Sequence, residues 1–170
     1  MVCPRCGHNN FEGADRCANC IEPLRDRDVP QPTAGFQSLL MEEPISAVAG
    51  NQVIVVTPET SIGESVRLMK QRRVGCVMVV SGGKLAGIFT ERDLLLKLVG
   101  TGKSLDELYV RDYMTQSPET VEAGDSLRIA LNKMSVGGFR HIPVVAEGQV
   151  TGLVTAKDAL KYLAREALKK

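Results

Sequence analysis

From about Phe36 onward the chain alternates short apolar runs with amphipathic segments, whereas the residues before it show little apolar periodicity. Val53–Val56 reads as a short strand. Ser61 to about Arg72 reads as a helix with Val66 and Met69 on its apolar side, and Cys76–Val80 and Lys84–Phe89 as two more strands. A second helix starts at Glu91. Ser81, Gly82 and Gly83 between the later strands suit a tight hairpin. The same β-α-β-β-α order then returns, with Leu131 and Met134 on the helix and Ala146, Glu147 and Gly148 at the hairpin.

The return is a duplication. Sliding the sequence by 65 positions lays Ile45–Leu98 on Val110–Leu163 without a gap. Val56 then meets Val121, Ser61 meets Ser126, Met69 meets Met134, and Val79 and Val80 meet Val144 and Val145. Gly83, Gly87, Thr90, Asp93, Leu95 and Leu98 meet Gly148, Gly152, Thr155, Asp158, Leu160 and Leu163. One copy of some 55 residues buries too little to stand alone, so an obligate intramolecular pair with a shared core is expected.

Each copy carries one construction after its third strand: GIFTERD over Gly87–Asp93 and GLVTAKD over Gly152–Asp158. Two readings of the Thr-x-x-Asp stay open here. Thr90 and Thr155 suit helix N-caps with Asp93 and Asp158 as reciprocal capping-box partners. The same carboxylates are acceptors able to take two neighbouring ribose hydroxyls, beside a helix N-terminus that offers N–H groups to a phosphate.

Over roughly Ile45–Leu163 these motifs resemble the CBS-domain family, whose paired repeats form a Bateman module. The resemblance implies an α+β fold of two β-α-β-β-α repeats packed face to face. It also implies an adenine nucleotide (AMP, ADP or ATP) or S-adenosylmethionine as regulatory ligand in clefts between the copies. Carried over, Asp93 and Asp158 face ribose, with Thr90 and Thr155 near ribose or phosphate. Before the second strand, one copy reads Val74, Gly75, Cys76 where the other reads Phe139, Arg140, His141. The resemblance therefore makes Arg140 and His141 candidates for phosphate contact, with Arg92 and Lys157 as second choices. Thr57 matches a polar position near base or ribose, but its counterpart is Glu122, an awkward neighbour for phosphate, so unequal occupancy of the two clefts is expected. Cys76 is read as a small apolar residue. Gly137 and Gly138 are read as a helix end, with no lysine following in a P-loop arrangement.

The first residues bring a different chemistry. Cys3 and Cys6 form one Cys-x-x-Cys pair and Cys17 and Cys20 another, ten residues apart. Two such knuckles can turn four thiolates into a tetrahedron, and a structural Zn2+ supplies folding free energy that so short a segment lacks. The segment is similar to the zinc-ribbon family, in which Gly7 after the first pair is matched but Ile21 replaces the usual second glycine. A less regular second knuckle is expected. Iron and a disulfide framework are weaker alternatives, and His8 is read as a surface residue.

The divisions expected are a zinc ribbon over 1–24, a linker and leading helix over 25–44, repeat one over 45–98, a connector over 99–109 and repeat two with its C-terminal helix over 110–170. Twenty-one Lys and Arg against 20 Asp and Glu give no bulk attraction to nucleic acid or an anionic membrane. No run approaches the roughly 18 apolar residues of a span, and clustered cysteines fit a reducing compartment, so a cytoplasmic chain is expected. Nothing pairs a nucleophile with a base, and an enzyme is not expected. The leading expectation is a nucleotide-responsive sensor, a homodimer by resemblance, that signals to a protein partner through the ribbon. The alternative is a nucleic-acid-binding or transcription accessory that uses the repeats as a dimerisation scaffold.

Overall fold

The computed structural model describes Cys3 and residues 5–10, 16–22, 43–50 and 52–168. The chain divides into two units, Met1–Gly35 and Phe36–Lys170. The linker and leading helix expected over 25–44 lie outside the described residues, apart from Glu43 and Pro44.

In the larger unit a 3-10 turn at Ile45–Ala47 leads to β1 (Val55–Val56), α1 (Ile62–Arg72), β2 (Cys76–Ser81), β3 (Lys84–Thr90) and α2 (Glu91–Lys97). A second 3-10 turn at Val110–Asp112 opens β4 (Thr115–Gln116), α3 (Leu127–Gly137), β5 (His141–Ala146), β6 (Gln149–Thr155) and α4 (Ala156–Ala167). β1 is shorter than the run Val53–Val56. Ile54 still joins the sheet, because its carbonyl accepts the Met78 N–H at 2.8 Å.

The sequence offset governs the hydrogen bonding. Cys76 pairs with Thr90 and His141 with Thr155; both hairpins shift register at the same place, between Val79 and Val80 and between Val144 and Val145. Val56 lies parallel to Val79, as Val121 does to Val144. Gly82 and Gly83 turn the first hairpin at φ 57° and 78°; Glu147 and Gly148 turn the second at 51° and 81°. Both central residues at positive φ is the two-residue geometry that follows the right-handed twist of the strands.

The two copies also exchange their leading segments. β4, at the head of repeat two, pairs antiparallel with β3 of repeat one, Thr115 opposite Ile88. In return Gly50, at the head of repeat one, exchanges two backbone hydrogen bonds with Leu153 in β6. The cores follow suit: Val110 is buried with Val56, Ile62, Met69, Val77, Val79 and Phe89 of repeat one. Ile45 is buried with Val121, Ala130, Met134, Ile142, Val144 and Val154 of repeat two. Cys76, Met78 and Ile88 meet Leu153 between the sheets. The α+β architecture of paired repeats is therefore present, with each copy completed by the other's first residues.

Candidate functional site

A cleft of about 850 Å³ opens between the repeats of the larger unit. Repeat two supplies Arg140 and His141 at the head of β5 and Thr155, Lys157, Asp158 and Lys161 where β6 runs into α4. Repeat one supplies Val66, Met69, Lys70, Arg73, Val74 and Gly75 from α1 and the turn after it, with Glu91 and Leu94 from α2. Apolar Val66, Met69, Leu94 and Leu153 thus share the cleft with five cationic side chains and two carboxylates. That mixture offers a flat apolar surface to a ring and positive charge to an anion.

Asp158 is half-buried. One of its oxygens accepts the Thr155 hydroxyl at 2.6 Å, while its backbone N–H donates to that hydroxyl oxygen at 3.1 Å. The Ala156 N–H donates to the Arg140 carbonyl at 3.0 Å. With those two first-turn donors taken, an anion in the cleft would rely on side-chain cations more than on the end of α4. A Cβ placed at Gly75 would stand 3.0 Å from His141 Nε2 and 3.4 Å from Glu91 Oε2, so His141 and Glu91 meet over a position that has no side chain. Burial holds the His141 imidazole below its usual pKa, with Glu91 and Asp158 opposing and Arg140 reinforcing that shift. Cys76, beside Glu91 in the sheet core, is pushed up to about 12 by burial, which keeps it a neutral thiol.

The counterpart residues in repeat one are engaged otherwise. Thr90 and Asp93 form a complete reciprocal capping box, with Asp93 Oδ2 accepting the Thr90 N–H at 3.0 Å and its hydroxyl at 2.6 Å. Asp93 Oδ1 lies 2.7 Å from Lys97 Nζ, and the residue is buried. Arg92 donates to the Gly138 carbonyl at 2.7 Å. Phe139, where repeat one has the smaller Val74, lies so close to Gly137 that a side chain there would strike its ring. Thr57 is exposed, and its backbone N–H and hydroxyl lie 3.1 and 3.3 Å from Thr60 Oγ1. The cleft thus brings together Arg140, His141, Thr155, Lys157 and Asp158 and leaves Thr57, Thr90, Arg92 and Asp93 elsewhere. It adds Lys70, Arg73 and Lys161, which motif reading missed because two of them come from the other repeat. A signal did exist: the offset puts Arg73 on Gly138.

In the smaller unit the four cysteine sulfurs lie within 4.8 Å of one another. Cys3 and Cys20 sulfurs are 3.6 Å apart, as are those of Cys6 and Cys17. A tetrahedron with metal–sulfur bonds of about 2.3 Å needs edges of about 3.8 Å, so the set fits a four-coordinate ion. The knuckles are twins. Gly7 N–H donates to Cys3 O at 3.0 Å and Ile21 N–H to Cys17 O at 2.9 Å, and both residues sit at positive φ, 70° and 61°. Ile21 therefore adopts the glycine conformation, and the second knuckle is as regular as the first. Asn10, buried, accepts the Ala18 N–H at 2.9 Å and reaches Cys17 Sγ at 3.6 Å, holding that knuckle from behind.

The fold defines a module of paired tandem repeats with a cleft between them. Residues 45–100 and 110–165 both match the CBS domain family, and the chain belongs to it as a tandem pair. An uncharacterised protein of Methanopyrus kandleri is 35% identical over 119 residues, which cover 69% of this chain and 61% of that protein. A crystal structure of an uncharacterised conserved protein from Pyrococcus horikoshii superposes with a TM-score of 0.67 at 30% identity, covering 72% of this chain and 92% of that one. The CBS pair of a Methanocaldococcus jannaschii protein, solved with 5-methylthioadenosine and S-adenosyl-L-methionine, shares the fold at a TM-score of 0.64 and 23% identity, covering 71% and 98%. Among the described residues no helix is long and apolar enough to cross a membrane.

Proposed function

We propose that the chain is a regulatory sensor, a binding module and not an enzyme, that takes an adenine nucleotide in the cleft anchored by Thr155 and Asp158. Occupancy changes repeat or dimer packing, and a zinc-loaded N-terminal unit presents that state to a protein partner in the cytoplasm. The observation that carries the reading is a cleft in which a half-buried carboxylate, an apolar wall and five cations converge. Asp158 would take the ribose hydroxyls, Val66, Met69 and Leu153 would flank the base, and Arg140 with its neighbours would face phosphate. The adenosyl ligands of the Methanocaldococcus jannaschii protein support the ligand class. Leu95, Leu96 and Val99 on and just after α2 and Leu160 on α4 are exposed apolar side chains that pairing with a second copy would cover. The four-cysteine geometry supports zinc, a d10 ion that four thiolates close into a tetrahedral structural site.

Calorimetric titration with AMP, ADP, ATP and S-adenosylmethionine tests the reading. Saturable binding that Asp158→Ala abolishes and Asp93→Ala spares is expected. Absence of binding by every adenosyl ligand would leave the repeats a scaffold and overturn it.

A further inference from the structure

Arg73 ends α1 at φ 54°, ψ 43°, in the left-handed region that a side-chain-bearing residue enters at a cost of roughly 1 kcal/mol. The other copy shows the inexpensive solution at the same place: α3 ends on Gly138 at φ 66°, ψ 24°. Repeat one thus carries an arginine where the local backbone favours glycine and where its own duplicate has one. Strain of this kind points to a role outside the helix end. Arg73 lines the cleft, one turn from Lys70, and lies across it from Lys157 and Lys161 of repeat two. Among the described residues none of Lys70, Arg73, Arg140, Lys157 and Lys161 has an acidic partner within salt-bridge distance, while Arg67, Lys97, Arg111 and Lys133 elsewhere all do.

From this we infer that Arg73 is a phosphate-binding residue donated by repeat one to a ligand anchored in repeat two, and that it makes the cleft select phosphorylated adenosine over S-adenosylmethionine. The inference rests on the adenosyl reading above. A guanidinium can grip two phosphate oxygens at once, and unpaired cations on both walls favour an anionic ligand while opposing one that carries a sulfonium. Lys70 and Lys161 add point charge to the same grip. A ligand so held spans both repeats, so its phosphates add a bridge between α1 of repeat one and α4 of repeat two.

The test is titration of the full chain and of Arg73→Gly, Arg73→Lys and Asp158→Ala with adenosine, AMP, ATP and S-adenosylmethionine, together with thermal unfolding. Arg73→Gly should lose about ten- to a hundredfold in ATP affinity, keep its adenosine affinity, narrow the preference over S-adenosylmethionine, and melt no lower than the parent. Arg73→Lys should recover part of the loss. Unchanged ATP affinity in Arg73→Gly, or an equal loss for adenosine and ATP, overturns the role of Arg73 while binding lost in Asp158→Ala leaves the adenosyl reading standing. If the parent chain binds none of the four, that reading fails and this inference fails with it.

Discussion

Asp93 and Asp158 occupy equivalent positions and hold different appointments. Asp93 is spent on Thr90 and Lys97 inside a buried cap, so Asp93→Ala should cost about 1–2 kcal/mol in denaturant unfolding, chiefly through the lost cap, with cleft affinity intact. Asp158→Ala should do the reverse. His141 adds a pH signature whose sign follows from its lowered pKa. Above 6.5 both folded and unfolded chains hold it neutral; as pH falls below 6.5 the unfolded chain takes the proton first, and stability declines until the folded imidazole is itself protonated. A phosphate ligand would favour that proton, so affinity for ATP should rise across the same interval, and His141→Gln should flatten both profiles in unfolding and titration series. The motif residues of this cleft, Thr155 to Asp158, were legible because their chemistry is local to one strand–helix junction. Lys70 and Arg73 were not, because they reach the cleft only through packing of one copy against the other. Nor could the motif alone reveal that Asp93 is consumed by its own cap.

At the scale of elements, the offset transferred both helices and both hairpin strands from one repeat to the other, since matched apolar runs joined by the same two-residue turn fix the same register. It did not foretell the strand lengths. The second copy's counterpart of β1 contracts to one bridge, Val121 with Val144. The cysteine knuckles show the opposite case, in which a departure from the expected residue left the element unchanged. Ile21 holds the left-handed turn that Gly7 holds in the first knuckle, exposed and strained. Ile21→Gly should therefore raise the resistance of the metal-loaded unit to unfolding by about 1 kcal/mol, measured as slower metal release to a chelator. Chelation of the parent should unfold this unit and leave the melting of the repeats unchanged, because among its described residues the unit has no apolar core besides its cysteines. One transition that loses both together would contradict the division into two units.

For the whole molecule, the exchange of leading segments decides what folds. Repeat one alone, over 45–98, lacks β4 and Val110 and would expose the core that Phe89 and Ile62 line. That fragment should show neither cooperative unfolding nor fixed tertiary signal by near-ultraviolet circular dichroism, whereas the pair should melt in one transition. A sequence divided at its internal repeat suggests two beads; the structure divides it across the connector, with each sheet finished by the far half. The same exchange lays residues 43–50, at the head of repeat one, on repeat two, with Ile45 in its core and Gly50 against Leu153. Gly50 and Gln52 are also part of the cleft wall. The cleft and the backbone junction between the two repeats therefore share a wall, so a ligand seated there would rest on the pair of hydrogen bonds between Gly50 and Leu153.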